Sequence, residues 1–153
     1  MMKNLLLILC FFPMLALAQE EDQSKYMVGA VPEVNGKVVF SQEINAPNLS
    51  KDQIFDAILA WANTRFKTDK GNWGMVAYSN KEEGQIACYG NEYIVFADKT
   101  FSLDRAKINY RMNFVCTSGK CNVEVTNITY LYPEDSRERL AAEEWITDKQ
   151  AMN

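Results

Sequence analysis

Between Lys107 and Phe114 apolar and polar side chains alternate without a break, with Ile108, Tyr110, Met112 and Phe114, continued by Cys116, on one parity and Lys107, Asn109, Arg111 and Asn113 on the other. A period of two marks a strand with one buried face. After the turn-forming stretch Thr117 to Lys120 the alternation resumes, with Cys121, Val123 and Val125 in the apolar phase and Asn122, Glu124 and Thr126 in the polar one. The two runs predict a hairpin that pairs Cys116 with Cys121, Phe114 with Val123, Met112 with Val125 and Asn113 with Glu124, Gly119 being available for a left-handed turn residue. Beyond Val125 the phase inverts, so that Ile128, Tyr130 and Tyr132 take the outward parity. A bulge near Thr126 and Asn127 that resets the strand is expected; the alternative is an outer face covered by another element, with a small aromatic site there.

Upstream the period changes. In "APNLSKDQIFDAILAWANTRF" the residues Ile54, Phe55, Ile58, Leu59, Trp61, Ala62 and Phe66 recur at helical spacing, and Ser50 followed by Gln53 has the pattern of a capping box. This predicts an amphipathic helix from about 51 to 67 that lays its apolar stripe on a sheet, with Lys51, Asp52, Asp56, Asn63 and Lys67 turned to solvent. No apolar stripe is left for a partner helix or a membrane. Before it, Asn35-Gly36 signals a hairpin whose first arm Pro32 confines to an edge, and Lys37 to Ile44 reads as a strand. After it come "WGMVAYS", "QIACYG" and "EYIVFA" as strands, with turns at "NKEEG" and near "DKTFS". The ending "EDSRERLAAEEWITDKQAMN" is helix-rich, with Leu140, Ala141 and Trp145 as its buried stripe and a break near Thr147. The order β-α-β-β-β-β-β-α argues an α+β fold, an antiparallel sheet with one long N-terminal amphipathic helix and a C-terminal helix on one face.

The hairpin register turns both of its thiols toward the core. Opposed strand residues have Cα atoms about 4.5–5.5 Å apart, within the range a disulfide accepts. A Cys116–Cys121 disulfide is therefore the expectation, with two reduced core thiols as the alternative. Closing so small a loop is worth about 2 kcal/mol and would pin the register rather than create the fold. Cys88 shares its phase with Ile86 and reads as a small buried hydrophobe rather than a nucleophile. Three cysteines without histidine or a CxxC pair are a weak zinc set, so no metal is expected. No other cofactor is expected either.

The first residues, "MMKNLLLILCFFPMLALAQEEDQ", show one positive charge, an apolar run from Leu5 to Leu17 and a small-x-small ending. That is the anatomy of a signal peptide over 1–18, cleaved after Ala18, and it implies an exported protein with no transmembrane segment once the leader is gone. Lipidation on Cys10 is disfavoured by bulky Leu9 before it. Residues 19–36 read as a lead-in with an edge hairpin arm, order starting near Tyr26 or Met27, and 37–153 as one domain. Of 153 residues, removing 18 leaves 135 and takes away only Lys3, so 15 basic against 20 acidic groups give a net charge of −5. Such an acidic exported chain has no electrostatic footprint for nucleic acid. There is no histidine in the chain, which removes Ser-His-Asp, Cys-His and HExxH chemistry together. The acidic pairs Glu82-Glu83 and Glu143-Glu144 read as solvated surface, and Trp61, Trp73, Tyr78, Tyr89, Tyr93, Phe96, Phe101 and Trp145 read as mostly core. The candidate binding residues are the polar set of the hairpin's outer face: Lys107, Asn109, Arg111, Asn113 and Glu124.

The stretches "GKVVFSQEINAPNLSKDQIFDAILAWANTRF", "VAYSNKEEGQIACYGNEYIVF", "SLDRAKINYRMNFVC" with "GKCNVEVTNITYLY", and "AAEEWITDKQAMN" together resemble the secreted Bacteroidetes proteins grouped as domain of unknown function 4468, over roughly 37–153. The resemblance implies a TATA-binding-protein-like fold, a curved antiparallel sheet with helices against one side, and an envelope or secreted location. It carries no activity, cofactor or catalytic residue to transfer, and fold analogy to a DNA-binding protein is not function. The reading that follows is a non-enzymatic binding module of the bacterial envelope, its partner an unidentified protein, glycan or small ligand. The alternatives are an enzyme or redox protein using Cys88 or a carboxylate, and a structural envelope assembly component.

Overall fold

The computed structural model describes residues 29–69, 71–99 and 102–148; the leader, the start of order expected near Tyr26 or Met27, and Phe101 lie outside them. A short ribbon pairs β1 (Glu33–Val34) with β2 (Lys37–Val38). Its turn residues Asn35 and Gly36 have φ of 52° and 72°, the pair of left-handed conformations that a tight hairpin turn requires and that Asn-Gly adopts most readily. Val38 drops from this ribbon into the core, and its N–H donates to Glu143 Oε1 at 2.9 Å.

The helix α1 (Lys51–Arg65) starts where the sequence places it. Ser50 Oγ accepts from the Gln53 N–H at 3.3 Å while Gln53 Oε1 accepts from the Ser50 N–H at 2.9 Å, so two of the helix's orphan donors are satisfied reciprocally. It ends at Phe66, whose N–H closes on Ala62 O. The antiparallel sheet runs β3 (Phe40–Asn45), β7 (Lys120–Leu131), β6 (Ser102–Thr117), β5 (Gln85–Lys99), β4 (Trp73–Asn80) from edge to edge. A further short strand, β8 (Leu140–Ala141), pairs with Thr129 and Tyr130 of β7 beyond the point where β3 stops. A single turn, α2 (Ala142–Trp145), follows it.

Both helices lie on one face. Ile54, Phe55, Ala62 and Phe66 of the α1 segment pack on Ile86, Cys88, Tyr110, Phe114, Cys116 and Cys121, and Ala142 and Trp145 close the core beside Ile128 and Tyr130. The hairpin register is the expected one, Cys116 opposite Cys121, Phe114 opposite Val123, Met112 opposite Val125 and Asn113 opposite Glu124. The expected bulge is also present: Asn109 pairs with Thr129 and Arg111 with Thr126, leaving Tyr110 opposite Asn127 and Ile128, and Asn127 takes φ 52°. That extra residue returns Ile128 and Tyr130 to the buried side.

Three expectations are corrected. "QIACYG" and "EYIVFA" are one strand of 15 residues, because Gly90 marks a close approach rather than a break: the Tyr110 ring lies over it. Leu140 and Ala141 are not the first turn of a long C-terminal helix; the free edge of β7 takes their backbone hydrogen bonds, and the helix is confined to four residues. The aromatics are not mostly core. Trp61, Trp73, Tyr78, Tyr89 and Phe96 are exposed, since strand parity sends Trp73, Tyr78 and Tyr89 to the side that no helix covers.

Candidate functional site

On the helix-free face the pairing register arranges side chains in rows that cross the strands. One row runs Ser41, Glu124, Asn113, Ala87, Tyr78; the next Thr126, Arg111, Tyr89, Met75; the next Thr129, Asn109, Asn91, Trp73; the last Leu131, Lys107, Tyr93. The five residues singled out from the sequence, Lys107, Asn109, Arg111, Asn113 and Glu124, thus share this face. The sequence reading missed what stands beside them. Trp73, Met75, Tyr78 and Tyr89 are 47, 42, 45 and 40% exposed, too much for core. The missed signal is parity: Trp73, Met75 and, across β5, Tyr89 alternate with Gly74 and Val76, and only the helix position tells which side is dry.

Polar contacts hold the face in place. Arg111 Nε donates to Asn113 Oδ1 at 2.8 Å, and Asn91 Nδ2 donates to Asn109 Oδ1 at 2.5 Å. Asn109 Nδ2 is buried without an acceptor. Cations stand over rings: Arg111 is 5.8 Å from the Tyr89 centroid, Lys107 5.2 Å and Arg105 4.1 Å from that of Tyr93. Arg105 also donates to both oxygens of Glu134 at 2.5 and 2.9 Å, which holds that carboxyl below its usual range. Among the described residues Lys107, Arg111 and Arg139 make no ion pair.

The face carries three shallow depressions. Two share Arg111: one of about 340 Å³ beside Tyr78, Asn113 and Glu124, and one of about 270 Å³ beside Trp73, Tyr89 and Arg139. The third, about 280 Å³ between Ser41 to Glu43 and Asn122 to Glu124, adjoins through Glu124. Together they form a trough from one sheet edge to the other, and bulges in β4 and β7 interrupt the regular pleat along it.

The thiols and carboxylates lie elsewhere. Cys116 Sγ and Cys121 Sγ are 3.6 Å apart and free, a van der Waals contact rather than the expected disulfide, whose sulfurs would stand about 2 Å apart. The opposed register stacks the two thiols side by side on the buried face, and burial pushes Cys116 up to about 12. Cys88 is fully buried and is pushed up to about 11 by that burial. The accessible, low-pKa thiol that an enzyme or redox role for Cys88 requires is therefore not what the fold provides. Instead its thiol stays protonated in the folded chain while the unfolded one ionises near 8.5. The folded state then holds more protons than the unfolded one, and stability is lost as pH rises from about 9 toward 11. Urea midpoints at pH 8, 9, 10 and 11 should fall, and fall less steeply for Cys88→Ala; an unchanged slope would show that Cys88 does not contribute.

The acidic pairs serve the scaffold. Glu83 accepts from Tyr78 Oη at 2.9 Å, Glu143 from Val38, and Glu144 from the Ala141 N–H at 3.2 Å. On the helix side Glu92 accepts from Arg65 at 2.7 and 2.8 Å and from the Tyr110 hydroxyl. Among the described residues no three metal-ligating side chains converge, and no helix is long and apolar enough to cross a membrane.

No curated protein matches the chain. Among solved structures it is similar to a DUF4468 family protein from Bacteroides ovatus ATCC 8483, with 42% identity over 85% of this chain and 75% of that one and a TM-score of 0.75. It is also similar to a TBP-like protein from Parabacteroides distasonis ATCC 8503, with 30% identity over 80% of this chain and 77% of that one and a TM-score of 0.68. Residues 40–131, which span the sheet from β3 to the end of β7 together with α1, match the family described as "Domain of unknown function (DUF4468) with TBP-like fold", and the chain belongs to that family.

Proposed function

We propose that this protein is an exported, non-enzymatic binding module that presents its helix-free sheet face to a ligand. The observation that carries the reading is the concentration of Trp73, Met75, Tyr78 and Tyr89, all exposed, around Arg111 on the face opposite the one on which the helices pack. Trp, Tyr, Met and Arg are the side chains enriched at the centre of recognition surfaces, because they offer large contact area together with a polar or charged handle. A solvated sheet face of no function has no need of four large apolar groups there. The leader-like residues 1–18 support export, and the absence of histidine together with a buried Cys88 supports a binding rather than a catalytic role.

Arg111→Glu tests this directly. Purified from its own envelope fraction, the wild-type chain should begin at Gln19 by mass spectrometry and carry a co-purifying ligand. The variant should lose that ligand with a melting temperature within about 2 °C of wild type, as expected of a surface change. Equal ligand recovery by both chains, or a start at Met1, would contradict the reading.

A further inference from the structure

The central depression of the face has a chemistry of its own. Its rim holds two guanidinium groups, Arg111 and Arg139, and no carboxylate lines it. In a chain with 20 acidic and 16 basic side chains this is a local reversal of sign. Neither arginine makes an ion pair among the described residues; Arg111 gives its Nε–H to Asn113 and keeps its two terminal amino groups for an anion, as a guanidinium fork can. Trp73 and Tyr89 supply flat apolar surfaces on the same depression, Trp73 two positions from Met75, which pairs directly with Tyr89. Asn127 and Thr129 add amide and hydroxyl groups, and Asn109 also lines the depression, its Nδ2 buried with nothing to donate to.

From this combination we infer that the depression between Arg111 and Arg139 binds an acidic saccharide, a uronate unit of an oligosaccharide chain. The inference rests on the reading of this face as the binding face and adds the ligand's chemistry. A uronate matches each group present. Its carboxylate takes a guanidinium fork, one face of its ring presents C–H groups to Trp73 or Tyr89, and its hydroxyls need the amide and hydroxyl partners that Asn109, Asn127 and Thr129 hold. The shallow shape fits one unit of a polymer lying across the trough better than an enclosed small molecule, since about 270 Å³ lies below the range of sites that engulf their ligands.

The test uses the full mature chain and three uronate probes: tetragalacturonate, a mannuronate oligomer from alginate and a glucuronate-containing hyaluronan tetramer. Isothermal titration should show binding of at least one. That binding should weaken tenfold or more for the methyl ester of the same oligomer, with rising salt, and in Arg111→Ala and Trp73→Ala, while both variants keep the wild-type melting temperature. Failure of all three probes overturns the inference, as does equal affinity for the methyl ester. Equal affinity for an oligoglutamate peptide or a single-stranded oligonucleotide would reduce the site to a general polyanion contact and overturns it too. The failures separate from one another: an envelope ligand still lost on Arg111→Glu would keep the binding face and remove only its sugar chemistry.

Discussion

Gly90→Ala is expected to cost about 3 kcal/mol of folding stability, a large share of the roughly 5–15 kcal/mol available to a domain of this size. A Cβ built on Gly90 would stand 2.4 Å from Tyr110 Cζ, 2.6 Å from its Oη and 2.8 Å from its Cε1. The ring cannot swing aside. Tyr110 is 9% exposed, its edge meets Phe66 at 6.3 Å between centroids, and its hydroxyl is held by Glu92, which is itself clamped by Arg65. Overpacking in a close-packed interior forces backbone or rotamer shifts, and here the neighbour is a fixed aromatic rather than the end of a flexible chain. Urea unfolding of Gly90→Ala, and of the same change in a Tyr110→Leu background, measures the effect. The cost should fall below about 1 kcal/mol once the ring is gone, a coupling that identifies the contact. A cost under 1 kcal/mol in the wild-type background would mean that the ring does not sit over Gly90.

Phe114→Ala should cost about 3–5 kcal/mol, whereas Trp73→Ala, the removal of a larger aromatic, should cost less than about 1. Phe114 is 3% exposed and its ring meets Trp61 edge-on at 5.9 Å, while Trp73 is 47% exposed on the opposite face. Truncating Phe114 loses both its transfer free energy and the packing around the cavity left behind; Trp73 leaves no cavity because solvent already reaches it. Measured side by side, the pair decides which face is core. Comparable losses would place Trp73 in the interior and take the aromatic surface away from the proposed site.

How much of this was legible beforehand divides along physical lines. Alternation from Ile108 to Val125 specifies a strand register, because a one-residue slip would turn Phe114 and Met112 outward, and the inverted phase after Val125 can be reconciled with a buried Ile128 only by inserting a residue. The helix start was equally readable, since Ser50 and Gln53 are local chemistry with a local effect. Asn113, Arg111 and Glu124 were placed on a common face for the same reason: period two and a known register require nothing from the rest of the chain.

What failed were readings that depend on residues distant in sequence. Gly90 looks like a strand break until Tyr110, twenty positions later, supplies the ring that needs the space. Leu140 and Ala141 look helical until a vacant edge on β7 offers better hydrogen bonds than a first helical turn. The thiols of Cys116 and Cys121 meet because the register is local, yet their separation of 3.6 Å as free thiols belongs to the packed core rather than to the spacing.

The α+β class, the helix α1 and its cap, the β6–β7 register and its bulge, and the common face of Lys107, Asn109, Arg111, Asn113 and Glu124 can all be read from the chain's residues alone, because they follow from periodicity and short-range hydrogen bonding. That this face is the uncovered one, that Trp73, Met75, Tyr78 and Tyr89 join it, and that Arg139 lines the same depression as Arg111 all depend on contacts between segments far apart in the chain. Which side of a sheet stays wet is settled by where the helices land, and that is a property of the whole packed chain rather than of any strand in it.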